Sequence, residues 1–174
     1  MATAVAAVRR IETCIMLVVL PKGRAVYAFE PANRTKMDAM LFADGGSRGN
    51  PGPAASAAVL LDPGGELIEE IGAYLGVATN NVAEWTALVL GLEAASKRGI
   101  RRLGVRLDSE LVVKQLGGEY RVKHSGLQPL YARARRLLRD FAEVEIRHVP
   151  RKQNTLADAL VNRVLDQEAQ PPVT

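Results

Sequence analysis

The sequence contains a single cysteine, Cys14, and no long apolar segment. One thiol cannot form an internal disulfide, which is typical of proteins that fold in a reducing compartment. The longest apolar run, Cys14 to Leu20, is much shorter than the roughly 20 residues that span a membrane, and shorter than the core of a typical signal peptide. We therefore expect a cytoplasmic protein without a membrane segment.

Internal repeats and low-complexity tracts are also absent, so the 174 residues are expected to form one main domain and, by default, a monomer. The composition is 48% hydrophobic and 24% charged, as in ordinary soluble globular proteins. The formal net charge of +4 fits either a solvated surface or a polyanionic partner, and the clustering described below favours the partner.

The chain divides into three segments with different patterns. Residues 1–37 carry two short apolar stretches and then a polar stretch with a proline, so this N-terminal extension fits extra strands, a tail or a segment without a role. Residues 38–168 show regular strand and helix patterns, and residues 169–174 form a tail. The predicted strands cover 38–45, 55–61, 66–74, 102–108 and 144–149, and the predicted helices cover 81–98, 109–117, 126–140 and 154–168. This order predicts a mixed sheet covered by helices.

Carboxylates stand at the ends of several predicted elements. Asp44 ends the first strand and Asp108 ends the strand at 102–108, while Glu84 and Asp158 lie near helix starts. If the two strands are neighbours in the sheet, Asp44 and Asp108 emerge side by side. Crowded acids repel one another, and divalent cations such as Mg²⁺ or Mn²⁺, which prefer oxygen ligands, relieve that repulsion. The pattern predicts metal-assisted phosphoryl chemistry.

Each carboxylate also has an ordinary structural interpretation. Asp44 before two glycines fits a strand-end turn. Glu84 fits the third residue of a helix that is capped by Asn81, and Asp108 fits another helix cap. Asp158 fits an exposed residue within a helix. Taken singly, none of the four indicates a function.

Taken together with their neighbours, the four carboxylates resemble the motifs of type 1 ribonuclease H. These motifs are DGGSRGNPGP at 44–53, ATNNVAE at 78–84, LDSELVVKQ at 107–115 and HVPRKQNTLADAL at 148–160. The resemblance runs from about Met40 to Asp166 and points to the short bacterial and archaeal branch, which includes the N-terminal domain of actinobacterial ribonuclease H–phosphatase fusions. It implies an α/β fold, a five-stranded mixed sheet of order 3-2-1-4-5 flanked by helices.

The resemblance also implies a catalytic role for the four carboxylates. Asp44 would bridge two Mg²⁺ ions, for which Mn²⁺ can substitute; Glu84 and Asp108 would complete one site and Asp158 the other. The implied activity is an endonuclease that hydrolyses the RNA strand of RNA/DNA hybrids and leaves 5′-phosphate and 3′-hydroxyl ends. Two alternatives stay open: a module that binds hybrid or double-stranded RNA without cutting, and an enzyme that also cleaves double-stranded RNA.

The same resemblance implies groups that contact the substrate. Contacts to the 2′-hydroxyls that mark the RNA strand are assigned to Gly45, Ser47, Asn50, Thr79, Asn80, Asn81 and Gln115. Helix capping is the alternative for the two adjacent asparagines.

Basic residues cluster between 114 and 139, and no acid lies between Arg121 and Arg139. A solvated helix face is the usual explanation for such a run, but the missing acids favour phosphate contact. The assigned phosphate contacts are Lys114, Arg121, Lys123 and Arg151.

Two features depart from longer members of the family. A basic helical protrusion is missing, because Gln115 to Arg121 leads almost directly into the next helix. The loop before the last aspartate, which carries a histidine in many members, is short. His148 is predicted to end a strand and not to be catalytic, and Arg151 or Lys152 would take the place of the loop histidine. His124 is expected at the surface.

Overall fold

The computed structural model describes residues 36–169. The two apolar stretches of the N-terminal extension, 15–20 and 24–29, which fit extra strands, and most of the predicted tail lie outside the described residues. The strands are β1 Ala39–Ser47, β2 Gly52–Leu61, β3 Leu67–Ala78, β4 Arg102–Leu107 and β5 Glu143–His148. The helices are α1 Asn80–Lys97, α2 Glu110–Leu116, α3 Gln128–Leu137 and α4 Thr155–Glu168, with short 3₁₀ turns at Leu138–Asp140 and Arg151–Gln153. The predicted order of elements from residue 38 onward is confirmed.

One five-stranded sheet forms the centre of the fold, in the order β3-β2-β1-β4-β5. β1 is antiparallel to β2 but parallel to β4, and β4 is parallel to β5. Ala43 pairs with Leu107, and Leu107 pairs with His148. The carboxyl ends of three neighbouring strands therefore meet at one edge of the sheet, which is where α/β proteins commonly place ligands.

Helices cover the sheet on both faces. Alternate β1 residues such as Leu41 pack with Trp85 and Leu88 of α1 in the main core, where all three side chains are fully buried. On the other face, Leu160 and Val161 of α4 pack against β2. Burial of each large apolar side chain contributes about 1.5–3 kcal/mol. Among the helices of the described range, none is both long enough and apolar enough to cross a membrane.

β2 and β3 are longer than predicted, and this difference matters for the site. β2 begins at Gly52, which pairs with Ala78 at the end of β3. Near this end the pairing register shifts between Ala54 and Ala55, and Gly76 adopts a φ of 69°. The glycines and prolines here suggested a loop, but the irregular pairing accommodates them within the hairpin. As a result, α1 starts directly beside the end of β1.

Candidate active site

The four predicted carboxylates line one open pocket of about 270 Å³ at the carboxyl ends of β1 and β4. They come from four different elements: Asp44 from β1, Glu84 from α1, Asp108 from the residue after β4 and Asp158 from the first turn of α4. The remaining lining residues are Gly45, Gly46, Ser47, Arg48, Asn80, Arg151, Val161, Asn162 and Leu165. The structure therefore brings together acids that are more than 100 residues apart in sequence.

A close backbone contact places Glu84 in this pocket. A Cβ atom on Gly45 would lie 2.1 Å from the carbonyl carbon of Ala83 and 2.2 Å from the backbone nitrogen of Glu84. Only glycine therefore lets the first turns of α1 touch the end of β1. The buried Ser56 hydroxyl donates to the Ala83 carbonyl oxygen at 2.6 Å and holds the same turn from β2. This packing role of Gly45 is separate from its predicted substrate contact, which stays a prediction.

The cap of α1 differs from the predicted one. Thr79 precedes the helix, and its Oγ1 accepts a hydrogen bond from the Val82 N–H at 3.3 Å. The structural alternative with Asn81 as the cap and Glu84 as the third helical residue is therefore wrong, because the cap is Thr79, two residues earlier. Likewise the cap of α2 is Ser109 and not the preceding aspartate.

Glu84 is held by two hydrogen bonds from neighbouring elements. Its Oε1 accepts from the Asn80 side-chain amide at 3.1 Å, and its Oε2 accepts from the Ser109 hydroxyl at 2.5 Å. Burial raises the pKa of Glu84; the Ser109 bond opposes this shift, while the negative charge of Asp108 adds to it. Ser109 thus connects the start of α2 to a carboxylate on α1.

Asp44 lies at the centre of the acidic cluster. Burial, followed by the negative charges of Asp108 and Asp158, raises the pKa of Asp44 to about 7. Two groups lower the pKa of Asp44 without cancelling this rise. They are the Gly45 N–H, which donates to Asp44 Oδ1 at 2.8 Å, and the positive charge of Arg151. A carboxylate in these surroundings is stabilised by an entering cation.

Asn154 is a site residue that sequence reasoning missed. It is fully buried, and its Nδ2 donates to the Ala43 carbonyl oxygen at 3.0 Å and to Asp108 Oδ1 at 2.9 Å. Its Oδ1 is buried with no hydrogen-bond partner among the described residues. Asn154 thus joins the ends of β1 and β4 to the start of α4. An asparagine before a helix resembles an ordinary cap, so the sequence carried no signal for this role.

We expect Asn154→Ala to lower divalent-metal affinity by about 10–100-fold, the usual effect of losing a group that orients a metal-binding carboxylate. The variant should also lose about 1–3 kcal/mol of stability, because the Ala43 carbonyl is left buried without its donor. Mn²⁺ titration and urea unfolding measure these two effects. Gln153→Ala, which truncates an exposed neighbouring side chain, is the matched control. Equal metal affinity in both variants would contradict the orienting role.

The predicted substrate contacts occupy different surroundings. Gly45, Ser47 and Asn80 line the pocket. Asn50 lies beside them, since its Oδ1 accepts from the Asn80 backbone N–H at 3.2 Å. Asn81 is exposed in the first turn of α1. Gly45, Ser47, Asn50 and Asn80 thus form a rim next to the acids.

Gln115 does not reach this rim. Its side chain is buried at 6% exposure, and its Oε1 accepts from the Trp85 indole N–H at 3.1 Å. The predicted substrate contact at Gln115 is therefore not supported, because α2 turns this amide into the core, where it satisfies the indole.

The predicted phosphate contacts also separate into two groups. Lys114 pairs with Glu110 at 2.7 Å, while Arg121 and Lys123 are exposed in the segment between α2 and α3, and none of the three is among the described residues that line the pocket. Arg151 lines the pocket and ion-pairs with Asp158. The basic run is also partly compensated by another element, since Glu93 of α1 pairs with Arg133 at 2.5 Å.

The donor set fits a hard divalent cation. All four acidic donors are carboxylates, which suit Mg²⁺ or Mn²⁺ better than thiophilic metals. Within residues 36–169, no three acidic, histidine or cysteine side chains converge as closely as in a formed metal centre. Glu84, Asp108 and Asp158 are instead each turned toward a hydrogen-bonding or ion-pairing partner. A bound cation would replace these hydrogen-bonding and ion-pairing partners.

The sequence is similar to proteins of known families. A family model described as reverse transcriptase-like matches residues 42–164. Ribonuclease HI of Halobacterium salinarum is 47% identical over 125 residues, which cover 72% of this chain and 63% of that protein. A bifunctional protein of Mycobacterium tuberculosis is 44% identical over 135 residues, which cover 77% of this chain and 37% of that protein. The chain thus spans less than two thirds of the length of these relatives.

Solved structures match over nearly their whole length. The N-terminal RNase H domain of the mycobacterial protein has a TM-score of 0.74 at 43% identity, covering 77% of this chain and 97% of that one. RNase H1 from H. salinarum has a TM-score of 0.71 at 46% identity, covering 74% and 98%. LC11-RNase H1, solved in complex with an RNA/DNA hybrid, has a TM-score of 0.72 at 37% identity, covering 76% and 99%.

Proposed function

The chain belongs to the ribonuclease H family, and from this premise we propose that it is an endonuclease that hydrolyses the RNA strand of RNA/DNA hybrids. The observation that carries the proposal is the single pocket into which four elements bring Asp44, Glu84, Asp108 and Asp158. The relative LC11-RNase H1, solved with an RNA/DNA hybrid, supports the choice of substrate. A hydrolase needs both a charged reaction centre and a surface that recognises the strand, and the pocket and its rim offer both.

Asp44, Glu84, Asp108 and Asp158 would together hold two divalent cations, Mg²⁺ or Mn²⁺. When bound, such ions would supply an activated water and stabilise the leaving 3′ oxygen, giving 5′-phosphate and 3′-hydroxyl ends. The chain itself supplies orientation. Gly45 allows α1 to approach β1, and Ser109 holds the Glu84 carboxylate. This division of labour requires no protein nucleophile.

Recognition of the RNA strand is assigned to the rim formed by Ser47, Asn50 and Asn80. The hydrogen bond from the Asn80 backbone N–H to Asn50 connects the loop after β1 with the start of α1, so the rim is organised before substrate binds. Hydroxyl and amide groups in such a place can donate to and accept from a 2′-hydroxyl, which DNA lacks. The rim is therefore the proposed source of selectivity for the RNA strand.

We expect purified protein to cut the 5′-labelled RNA of a uniform RNA/DNA hybrid in Mg²⁺, and expect chelation to abolish the cutting, because the crowded carboxylates then repel both each other and the phosphate. Double-stranded and single-stranded RNA run beside the hybrid on the same gel. Added cutting of double-stranded RNA would indicate a relaxed rim. Binding of the hybrid without cutting in either Mg²⁺ or Mn²⁺ would contradict the proposed endonuclease activity and indicate a binding module.

A further inference from the structure

We propose that Arg151 is a built-in counter-cation of the pocket, which holds Asp158 in the metal-free protein and is displaced by an entering divalent cation. Once displaced, its guanidinium group serves the phosphate backbone of the nucleic acid. The inference rests on the metal site of the proposed function and adds a coupling between the binding of metal and the binding of substrate.

The geometry places the guanidinium group on one particular oxygen. Arg151 Nε donates to Asp158 Oδ1 at 3.0 Å, and Arg151 Nη2 donates to the same oxygen. The other oxygen, Oδ2, faces the Asn162 side-chain amide at 3.4 Å. Arg151 thus covers Oδ1 with two donors, and a cation that takes this oxygen must displace them.

The ion pair is built so that it can be exchanged. The Arg151 side chain is 76% exposed, whereas that of Asp158 is 27% exposed. Exposed ion pairs are weak because water screens them and because a long side chain loses freedom when it is held. The backbone of Arg151 belongs to the 3₁₀ turn Arg151–Gln153, next to the buried Asn154. The guanidinium group can therefore swing away while its attachment point stays at the rim of the pocket.

The charges around the pocket favour movement of the Arg151 guanidinium group from the carboxylates to a phosphate when a cation binds. Arg151 also interacts electrostatically with Asp44 and Asp108, so its charge partly neutralises the cluster. The other lining arginine, Arg48, is instead paired with Asp166. When divalent charge replaces that of Arg151 on the acids, the guanidinium group loses its carboxylate. A phosphate oxygen is then its natural acceptor, since arginine binds carboxylate and phosphate with the same donors.

Two opposite consequences follow. The guanidinium group competes with metal, so its removal should tighten metal binding. It also contributes to phosphate binding, so its removal should weaken the hybrid complex. A purely structural ion pair would not produce this opposition, because loss of a support for Asp158 weakens the metal site as well.

The test compares Arg151→Gln with Lys152→Gln, which removes the same charge from the adjacent exposed residue. Mn²⁺ affinity is measured by calorimetric titration of the full chain without nucleic acid. We expect the Mn²⁺ dissociation constant to fall about 3–10-fold in Arg151→Gln and less than about 2-fold in Lys152→Gln, because only Arg151 contacts a ligand oxygen. Arg151→Lys keeps the charge, and its Mn²⁺ affinity should stay near that of the wild type.

Hybrid affinity is measured for the same proteins in Ca²⁺, with a gel to verify that the RNA stays intact. We expect Arg151→Gln to bind the hybrid several-fold more weakly, with the salt dependence of binding reduced by about one phosphate contact. Thermal unfolding of each variant serves as the check on folding.

The outcomes separate this inference from the function on which it rests. An unchanged or weaker Mn²⁺ affinity in Arg151→Gln, beside normal binding by the wild type, overturns the counter-cation alone. Tighter Mn²⁺ binding with unchanged hybrid affinity overturns the coupling to phosphate. If the wild type binds no Mn²⁺ at all, the proposed metal site fails, and this inference fails with it.

Discussion

Asp44→Asn should reduce cleavage of the RNA strand by at least about 1,000-fold, a loss of more than 4 kcal/mol of transition-state stabilisation. Asp44 lies at the centre of the acidic cluster and is one of the four carboxylates proposed to hold the cations. Asparagine has nearly the same shape and keeps the oxygen that accepts from the Gly45 N–H, but it carries no charge. The loss should therefore appear as a lower turnover and weaker Mn²⁺ binding in a folded protein.

The same substitution should stabilise the protein when metal is absent. Burial and the neighbouring acids raise the pKa of Asp44 from 3.8 to about 7. Between these values the native state keeps a proton that the unfolded chain has released, so the native state loses stability as pH rises through this window. The cost is complete above about pH 7. At about 1.4 kcal/mol for each pKa unit, the upper limit is roughly 4 kcal/mol, and solvent in the open pocket reduces it to about 1–3 kcal/mol.

Urea unfolding in chelator at pH 4 and pH 8 measures this effect. The advantage of Asp44→Asn over the wild type should be small at pH 4 and reach its full value at pH 8. Asp140→Asn removes an exposed carboxylate outside the pocket, which accepts a hydrogen bond from the Ser96 hydroxyl, so it should show neither the stability gain nor the loss of cleavage. If Asp44→Asn is less stable than the wild type at pH 8, the raised pKa of Asp44 is contradicted.

The contrast between Asp44 and Asn154 shows how far sequence could lead. The strand pattern placed Asp44 and Asp108 at strand ends, and their meeting followed only if the two strands are neighbours. The family resemblance implied that order, and the parallel pairing of β1 with β4 confirms it. Asn154 acts through a contact with Asp108, which lies 46 positions earlier in the sequence. Its local sequence is that of a helix start, and the role follows only from the packing of α4 against the sheet.

Gln115 and Glu84 show that the sequence does not determine the direction of a side chain. Gln115 carries an amide in a promising motif, yet the orientation of α2 buries that amide against Trp85. Glu84 had a plausible structural explanation in a helix cap, yet α1 starts at a different residue and the carboxylate faces the pocket. The direction of a side chain depends on where its helix begins and on what it packs against, and neither is encoded within a few residues.

Gly45→Ala should be the most damaging substitution among the small residues of the site. The added Cβ would overlap the backbone of Ala83 and Glu84, and backbone cannot move aside as a flexible side chain can. We expect a loss of about 2–4 kcal/mol in stability, at or above the usual range for overpacking. Separation of α1 from β1 also displaces Glu84, and a shift of about 1 Å in a catalytic group can cost roughly 100-fold in rate.

Gly46→Ala is the matched control, because it adds the same methyl group to the next residue of β1. Its Cβ would meet only the Val161 side chain, at 3.0 Å, which can give by a small rotation, so the stability loss should stay below about 1 kcal/mol. Urea unfolding and cleavage assays on both variants separate two roles for Gly45. Lower stability together with lower Mn²⁺ affinity indicates that the glycine sets the distance between α1 and β1. Normal stability and metal affinity with weaker hybrid binding would instead indicate that Gly45 acts through contact with the substrate, since a methyl group at the rim blocks the strand without moving Glu84.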